Sequence, residues 1–318
     1  MPSMMTRTAT MKAVRIHAFG GPEVLRLEEI PRPEPKPDEL LVRILAAGVN
    51  PVDWKIREGR MGHIALPAIL GSDFSGEIET LGPGVTEFRV GEPVFGVVAE
   101  ESGSYAEYAV APVSQVVEKP SALSHFEAAA LPIASLTAWQ ALFDAANLRA
   151  GQKVLIHAAA GGVGSFAVQF ARWKGAQVIG TASAQHAARV RELGAQEVIN
   201  YREERFEEVV RDVDVVFDTV GGDTQERSWK VLRQGGILVS IVQPPSADAA
   251  AARGVRSTFL RSNHQRKDEL AEIAQLVVAG QIKVFVAETL PLSEARQAQE
   301  KSQDGHTQGK IVLQAGES

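Results

Sequence analysis

The chain has 318 residues, which suggests two domains of ordinary size, and its 45% hydrophobic share is enough for sizeable cores. With 39 acidic residues against 33 Lys and Arg, the formal net charge of −6 argues against nucleic acid or an anionic membrane surface as the main partner. The sequence holds no cysteine, so disulfides, thiolate zinc sites and a cysteine nucleophile are excluded. No apolar run reaches the roughly 18 residues of a membrane span, and a cytoplasmic location is expected.

Residues Met1 to Thr10 are polar and lack the apolar core of a secretory signal, so they are expected to fray, with Met11 as the functional start. Met11 to Ile16 reads as a strand. Phe19 to Pro22 reads as a turn, and Val24 to Leu27 as a second strand. Prolines 31, 33, 35 and 37 make an extended connector that can be neither helix nor central strand. Leu40 to Ala46 is expected as a buried strand.

Asn50 precedes Pro51 and is therefore held extended. Its amide both donates and accepts; it can meet a nicotinamide or a substrate carbonyl, or simply form a turn. Asp53 reads as a residue of a helix N-terminus. Gly71 to Ile78 enters another strand, and Asp73 within it reads as a structural carboxylate for backbone amides. Phe88 to Gly96 is expected as strand, turn, strand, and Gly103 to Val110 as one further strand. Tyr105 and Tyr108 lie in that last segment, with hydroxyls able to act as acids.

His125 to Leu131 reads as a short helix ending before Pro132, and Leu136 to Leu142 as the start of a new one. Composition changes there from β-rich to α/β, which places a boundary near Ile133. Thr137 on the connecting helix carries a hydroxyl that can reach a ligand in an interdomain cleft; its alternative role is capping or bonding back to the helix.

The segment KVLIHAAAGGVGSFAVQFARWK, Lys153 to Lys174, carries the clearest chemistry. Val154 to Ile156 is a buried-strand pattern. Val163, Phe166, Ala167, Phe170 and Ala171 repeat at the spacing of a one-faced helix. Between them, Gly161 and Gly162 let the backbone bend and approach a pyrophosphate, and Gly164 lets the helix sit against the strand. The free N–H groups and positive end of the helix favour an anion. Ala159 stands where the first glycine of the full dinucleotide fingerprint would be.

Repeated βα units follow: strands at Gln177–Gly180, Glu197–Asn200, Val213–Phe217 and Gly236–Val242, with helices at Ala187–Leu193, Phe206–Val210 and Trp229–Leu232 between them. They predict a doubly wound parallel sheet binding ligand at the strands' C-terminal ends. Gln243 to Gly254 reads as a surface excursion without chemistry. Leu270–Ala279 is expected as a helix, Ile282–Val286 as a strand, Leu292–Glu300 as a helix capped by Ser293, and Gly309–Leu313 as a last strand returning to the first domain. The second strand ends in GTASAQH with no acidic residue to hold an adenosine 2′-hydroxyl. Ser183 can donate to a 2′-phosphate and Arg189 can pair with it, so NADPH is the preferred cofactor. The histidines are scattered, and no local metal motif exists.

The segments MKAVRIHAFGGPEVL, AAGVNPVDWKIR, Gly71 to Gly76, AAALPIASLTAW, HAAAGGVGSFAVQFA, Leu193 to Arg202, FDTVGG and GKIVL, in this order, resemble the zinc-free quinone oxidoreductase branch of the medium-chain dehydrogenase/reductases, the zeta-crystallin-like group. The resemblance implies an α/β fold: a Rossmann domain (133–279) inserted in a GroES-like catalytic domain (1–132 and 280–318), with the active site in the cleft. It implies that Asn50 and Thr137 face the nicotinamide as the catalytic pair. Gly161, Gly162 and Val163 would contact the pyrophosphate, and Ser183 and Tyr201 the ribose phosphate; Val220, Ile241 and Lys310 are further carry-overs. It also implies a homodimer or homotetramer. The zinc branch carries a catalytic cysteine in the region of GVNPVDW and a four-cysteine lobe, and this chain has neither. The tyrosine of the enoyl-thioester reductases, near Arg60-Met61, is also missing.

The expected activity is NADPH-dependent hydride transfer to a quinone or to the C=C of an α,β-unsaturated carbonyl, with no metal. Loops around 50–62, 100–108 and 243–262 would shape the pocket. A nucleotide-binding sensor with little turnover is the alternative, since cofactor grip and catalysis use separate residues.

Overall fold

The computed structural model describes residues 9–61, 64–305 and 307–316. The expectation for the N-terminal decapeptide falls largely outside them, as do His63 and His306. The chain divides into two compact units: Met1–Ile133 with His264–Ala274 and Val284–Ser318, and Ala134–Asn263 with Gln275–Lys283.

The first unit is β-rich. Its strands are β1 (Thr10–Ile16), β2 (Arg26–Pro31), β3 (Glu39–Val49), β4 (Ala68–Ile69), β5 (Asp73–Leu81), β6 (Pro93–Val97), β7 (Tyr108–Pro112) and β8 (Val116–Glu118), with helices α1 (Pro51–Arg57) and α2 (His125–Ala129). The C-terminal part adds β15 (Val286–Pro291), α10 (Ala295–Asp304) and β16 (Lys310–Gln314). A small sheet runs β2-β1-β4, and a larger one β15-β16-β3-β5-β6-β8 with β7 also on β3. In β3 the run from Leu40 to Val42 and from Ile44 to Val49 is buried, as expected of a strand covered on both faces. The last strand does return here: β16 pairs antiparallel with β3, Ile311 opposite Val49.

The second unit is a parallel sheet. Its strands are β9 (Lys153–Ile156), β10 (Gln177–Ala182), β11 (Glu197–Asn200), β12 (Val213–Asp218), β13 (Leu232–Ser240) and β14 (Arg256–Phe259). Helices α4 (Gly162–Trp173), α5 (Ala184–Leu193), α6 (Phe206–Val209), α7 (Gly222–Ser228) and α8 (Ala247–Ala252) alternate with them; α3 (Pro132–Trp139) precedes and α9 (Lys267–Val278) follows. The order β11-β10-β9-β12-β13-β14 is the Rossmann order, and it reverses direction between β9 and β12. α4 buries Gly164 to Ala171, and Gly194 ends α5 at φ 122°.

Several elements differ from the sequence reading. Val24 closes a short 3-10 turn opened by Pro22, and the strand begins only at Arg26. Residues 88–92 hold no strand, with a turn at 90–91, and of the segment 103–107 only Ala106 makes an isolated bridge, to Ala13. Trp229 caps the end of α7, and Leu232 already belongs to β13. Strand β14 lies where no strand was expected, because RSTF has no apolar run; an edge strand paired on one side needs none. The excursion before it contains α8, capped by Ser246 Oγ accepting from Ala249 N at 3.2 Å. β15 starts at Val286, where 282–286 had been expected, and Ser293 lies in a 3-10 turn without capping α10. Among the described residues no helix is long and apolar enough to cross a membrane.

Candidate functional site

In the second unit, β9 ends at Ile156 and the chain turns sharply. His157 N donates to Phe217 O of β12 (3.0 Å), and Ala159 N donates to Thr181 O of β10 (2.9 Å). Ala158, between them, takes φ 48°, a left-handed conformation that a non-glycine residue adopts at some cost. The turn is thus pinned to both neighbouring strands at the point where the sheet reverses its winding. Gly161 then caps α4 with no side chain over the helix start. A Cβ built at Gly161 meets one atom within 4 Å, Ala158 O at 3.2 Å. A Cβ at Gly164 would lie 2.2 Å from Ala158 O, so that glycine sets how closely the helix meets the turn.

Five successive parallel strands end along this edge, and the expected cofactor residues follow them. Gly161, Gly162 and Val163 come after β9. Ser183 caps α5 after β10 and is 5% exposed. Tyr201 follows β11, 54% exposed, with its N–H donating to Ala182 O at 3.3 Å, which sets it beside Ser183. Val220 follows β12 and Ile241 follows β13. Both are tied to Asp218: Val220 N donates to its carboxylate (3.0 Å) and Ile241 N to its backbone oxygen (3.2 Å). Arg189 sits further along α5, half-buried, with burial lowering its pKa and Glu192 opposing that shift. Thr137 belongs to a different element, α3, and is 6% exposed.

Sequence reasoning missed two polar knots at this edge. The Asp218 carboxylate, fully buried, also accepts from Gly221 N (2.8 Å), Gln225 Nε2 (2.9 Å) and Ser240 Oγ (2.8 Å). His157 lies between Thr181 Oγ1 (3.2 Å) and Ser228 Oγ (2.9 Å), with its pKa pushed down by burial to about 4, so it is a neutral structural imidazole. Neither has a local sequence signal beyond its place at a strand end.

The first unit brings together Asn50 and Lys310, with Asp53, Asp73 and Tyr105. Adjacent strands β16, β3 and β5 supply the ends on which Lys310, Asn50 and Asp73 stand. Asn50 Nδ2 donates to Asp73 Oδ2 at 2.8 Å. Lys310 Nζ donates to Asn50 Oδ1 and to Val49 O (3.1 Å), and lies 3.4 Å from Asp73 Oδ2. Ile133 N donates to Asp73 Oδ1 at 2.9 Å, the backbone role read for this carboxylate. All three side chains are at most 5% exposed.

Asp53 is the third residue of α1, and its Oδ2 accepts from Asn50 N (2.8 Å), the N-terminal helix role that was expected. The same oxygen accepts from Tyr105 OH at 2.7 Å. Burial pushes the Asp53 carboxyl up to about 7, against the hydrogen bonds from Asn50 and Tyr105 and the charge of Lys310. Burial, with the charge of Asp53 beside it, likewise holds the Tyr105 hydroxyl well above its ordinary value, so it is a donor and a poor acid. Tyr108 lies under the Arg32 guanidinium, 3.7 Å from the ring centroid.

Comparison with known proteins agrees with this architecture. Residues 36–121 match the alcohol dehydrogenase GroES-like domain, and residues 193–313 match the zinc-binding dehydrogenase model. The mouse quinone oxidoreductase is 35% identical across 98% of this chain and 99% of its own length. The structure of the quinone oxidoreductase from Coxiella burnetii superposes with a TM-score of 0.92 at 37% identity, covering 97% of this chain and all of that one. The Escherichia coli quinone oxidoreductase, solved in complex with NADPH, gives 0.88 at 32% identity over 96% of this chain and 99% of its own. The α/β architecture, an inserted Rossmann sheet in a GroES-like β unit, is that of the medium-chain dehydrogenase/reductases, and this chain belongs to the quinone oxidoreductase branch of that family.

The name of one matched model carries zinc, and the donor set here does not suit it. Zinc favours thiolate and imidazole ligands, whereas the buried cluster offers Asn50, Asp53 and Asp73 and already holds a cation, the Lys310 ammonium, against Asp73. Among the described residues no three His, Cys, Asp or Glu side chains are grouped to hold a metal.

Proposed function

We propose that this protein is an NADPH-dependent, zinc-independent oxidoreductase that passes hydride to quinones or to the C=C of α,β-unsaturated carbonyls. The observation that carries the reading is the start of α4, where Gly161 places no side chain over the helix N–H groups, at the point where the parallel sheet reverses. That corner suits a pyrophosphate on the N–H groups of Gly162 and Val163. Ser183, Tyr201 and Arg189 are assigned to the adenosine ribose and its 2′-phosphate, since no acidic residue follows β10 to favour an unphosphorylated ribose. Val220 and Ile241 line the same edge. The relative solved with NADPH supports this choice of cofactor.

When bound, the reduced nicotinamide supplies the hydride. Asn50 and Thr137 are assigned to the nicotinamide and the reacting carbonyl. A developing oxyanion needs a donor already in place; Asn50 gives one Nδ2 hydrogen to Asp73 and keeps a second. Solvent returns the proton, giving hydroquinone or the saturated carbonyl. A conjugated electrophile suits a site that relies on positioning and electrostatics more than on a strong acid. The protein is assigned to the cytoplasm as a homodimer or homotetramer; β14, which among the described residues pairs with β13 alone, offers an edge that a second copy can extend.

The test is NADPH oxidation against a panel of ortho- and para-quinones and enals, before and after dialysis against a chelator. Turnover with a quinone or enal, faster with NADPH than NADH and unchanged by the chelator, is expected. Tight NADPH binding with no turnover on any member would overturn the enzyme reading in favour of a sensor. Activity lost to the chelator and restored by zinc would overturn the metal-free one.

A further inference from the structure

Two buried side chains, Lys310 and Asp73, from strand ends far apart in sequence, converge on the buried amide of Asn50. Asn50 has a two-ended side chain, and an amide of this kind can turn over and exchange its oxygen for its nitrogen. Here each end has a partner of the matching kind. The Lys310 ammonium can only donate, and it meets Oδ1. The Asp73 carboxylate accepts, and it meets Nδ2 at 2.8 Å. Turning the amide over would set an N–H₂ group against an ammonium and an oxygen against a carboxylate, both inside a buried cluster where unmatched polar groups are costly. Lys310 and Asp73 are themselves held, by Val49 O and by Ile133 N respectively. The fit is close: a Cβ at Gly48, opposite Asp73 in the β3–β5 ladder, would lie 2.9 Å from Asp73 Cβ and 2.3 Å from Ala129 O.

The geometry points to Lys310 and Asp73 as positioning residues that lock the Asn50 amide in one orientation, leaving one Nδ2 hydrogen free to donate to the reacting carbonyl. This rests on the assignment of Asn50 to the reacting centre made above. It departs from the expectation that Lys310 touches the cofactor, since the Lys310 ammonium is engaged by Asn50, Val49 and Asp73. A fixed donor has no reorganisation to undergo when charge develops, whereas a turning one is correctly placed only part of the time.

The test is a double-mutant cycle on kcat and KM, with folding checked by thermal melts. Asn50→Ala and Asp73→Asn are made singly and together; Asp73→Asn keeps volume but offers Asn50 an amide that both donates and accepts. Lys310→Met is made alone and with Asn50→Ala as a second cycle, in case one cycle fails to fold. Each single change is expected to lower kcat about tenfold or more with a smaller change in the KM for NADPH. Each double variant is expected to turn over no slower than Asn50→Ala alone. If Asp73→Asn or Lys310→Met costs the same factor with and without Asn50, the positioning role is overturned while the functional reading stands. If Asn50→Ala turns over as fast as the parent, the assignment of Asn50 to the reacting centre falls, and the positioning role with it.

Discussion

Gly164→Ala is expected to destabilise the protein strongly, while Gly161→Ala, three residues earlier, is expected to leave it folded and weaken its grip on NADPH. The two glycines bracket one turn but face different surroundings. A methyl at 164 would lie 2.2 Å from Ala158 O and 3.0 Å from Ala158 C and Ala159 Cα, all backbone atoms of a turn pinned to β10 and β12. None can move without disturbing the sheet, so the change belongs at or beyond the upper end of the overpacking range, about 3 kcal/mol. A methyl at 161 has one neighbour, Ala158 O at 3.2 Å, and a backbone φ of −74° that alanine adopts freely. It would project from the turn just before α4, where the phosphates are assigned. Thermal melts should show Gly164→Ala lower by about 10 °C and Gly161→Ala near the parent. Titration with NADPH should show Gly161→Ala weakened by about tenfold or more. The reverse pattern would mean that the space before α4 is not the phosphate seat.

The second large effect is a pH dependence of stability carried by Asp53. Burial raises its folded-state pKa from 3.8 to about 7. Between those values the folded protein holds a proton that the unfolded chain has released, so stability falls as pH rises through this window and stays low above it. Asp53→Asn removes the titration, and its side-chain oxygen can still accept from Asn50 N and Tyr105 OH, which both meet the same carboxylate oxygen. The variant is expected to match the parent near pH 4 and to exceed it at pH 8 by about 2–4 kcal/mol. Chemical denaturation of both proteins across that range measures the difference. A gap that does not change with pH would show that Asp53 titrates alike in the folded and the unfolded chain, with no raised pKa.

How much of this was legible follows the range over which the information acts. The dinucleotide corner is local: a β-rich run, small residues and a 3.6-residue period lie within one stretch, so Val154 to Ala171 could be read directly. The α/β alternation gave the parallel sheet for the same reason. β14 escaped because an edge strand such as Arg256–Phe259 gains its hydrogen bonds from β13 and carries no continuous apolar signal. The first-unit cluster escaped because its members lie up to 260 residues apart. Asp73 had no partner nearby in sequence, yet the order β16-β3-β5 supplies Lys310 and Asn50. Likewise Tyr105 read as a strand former, and its bond to Asp53 spans 52 residues. The helical role of Asp53 was visible as an acidic residue at the start of a helical turn; its raised pKa depends on burial, which no local pattern reports.

The most direct measurement of the central claim is a crystal structure of this protein with NADPH. The account predicts both bridging phosphates against the N–H groups of Gly162 and Val163, and the 2′-phosphate beside Ser183, Tyr201 and Arg189. A cofactor bound elsewhere, with the start of α4 left bare, would contradict it.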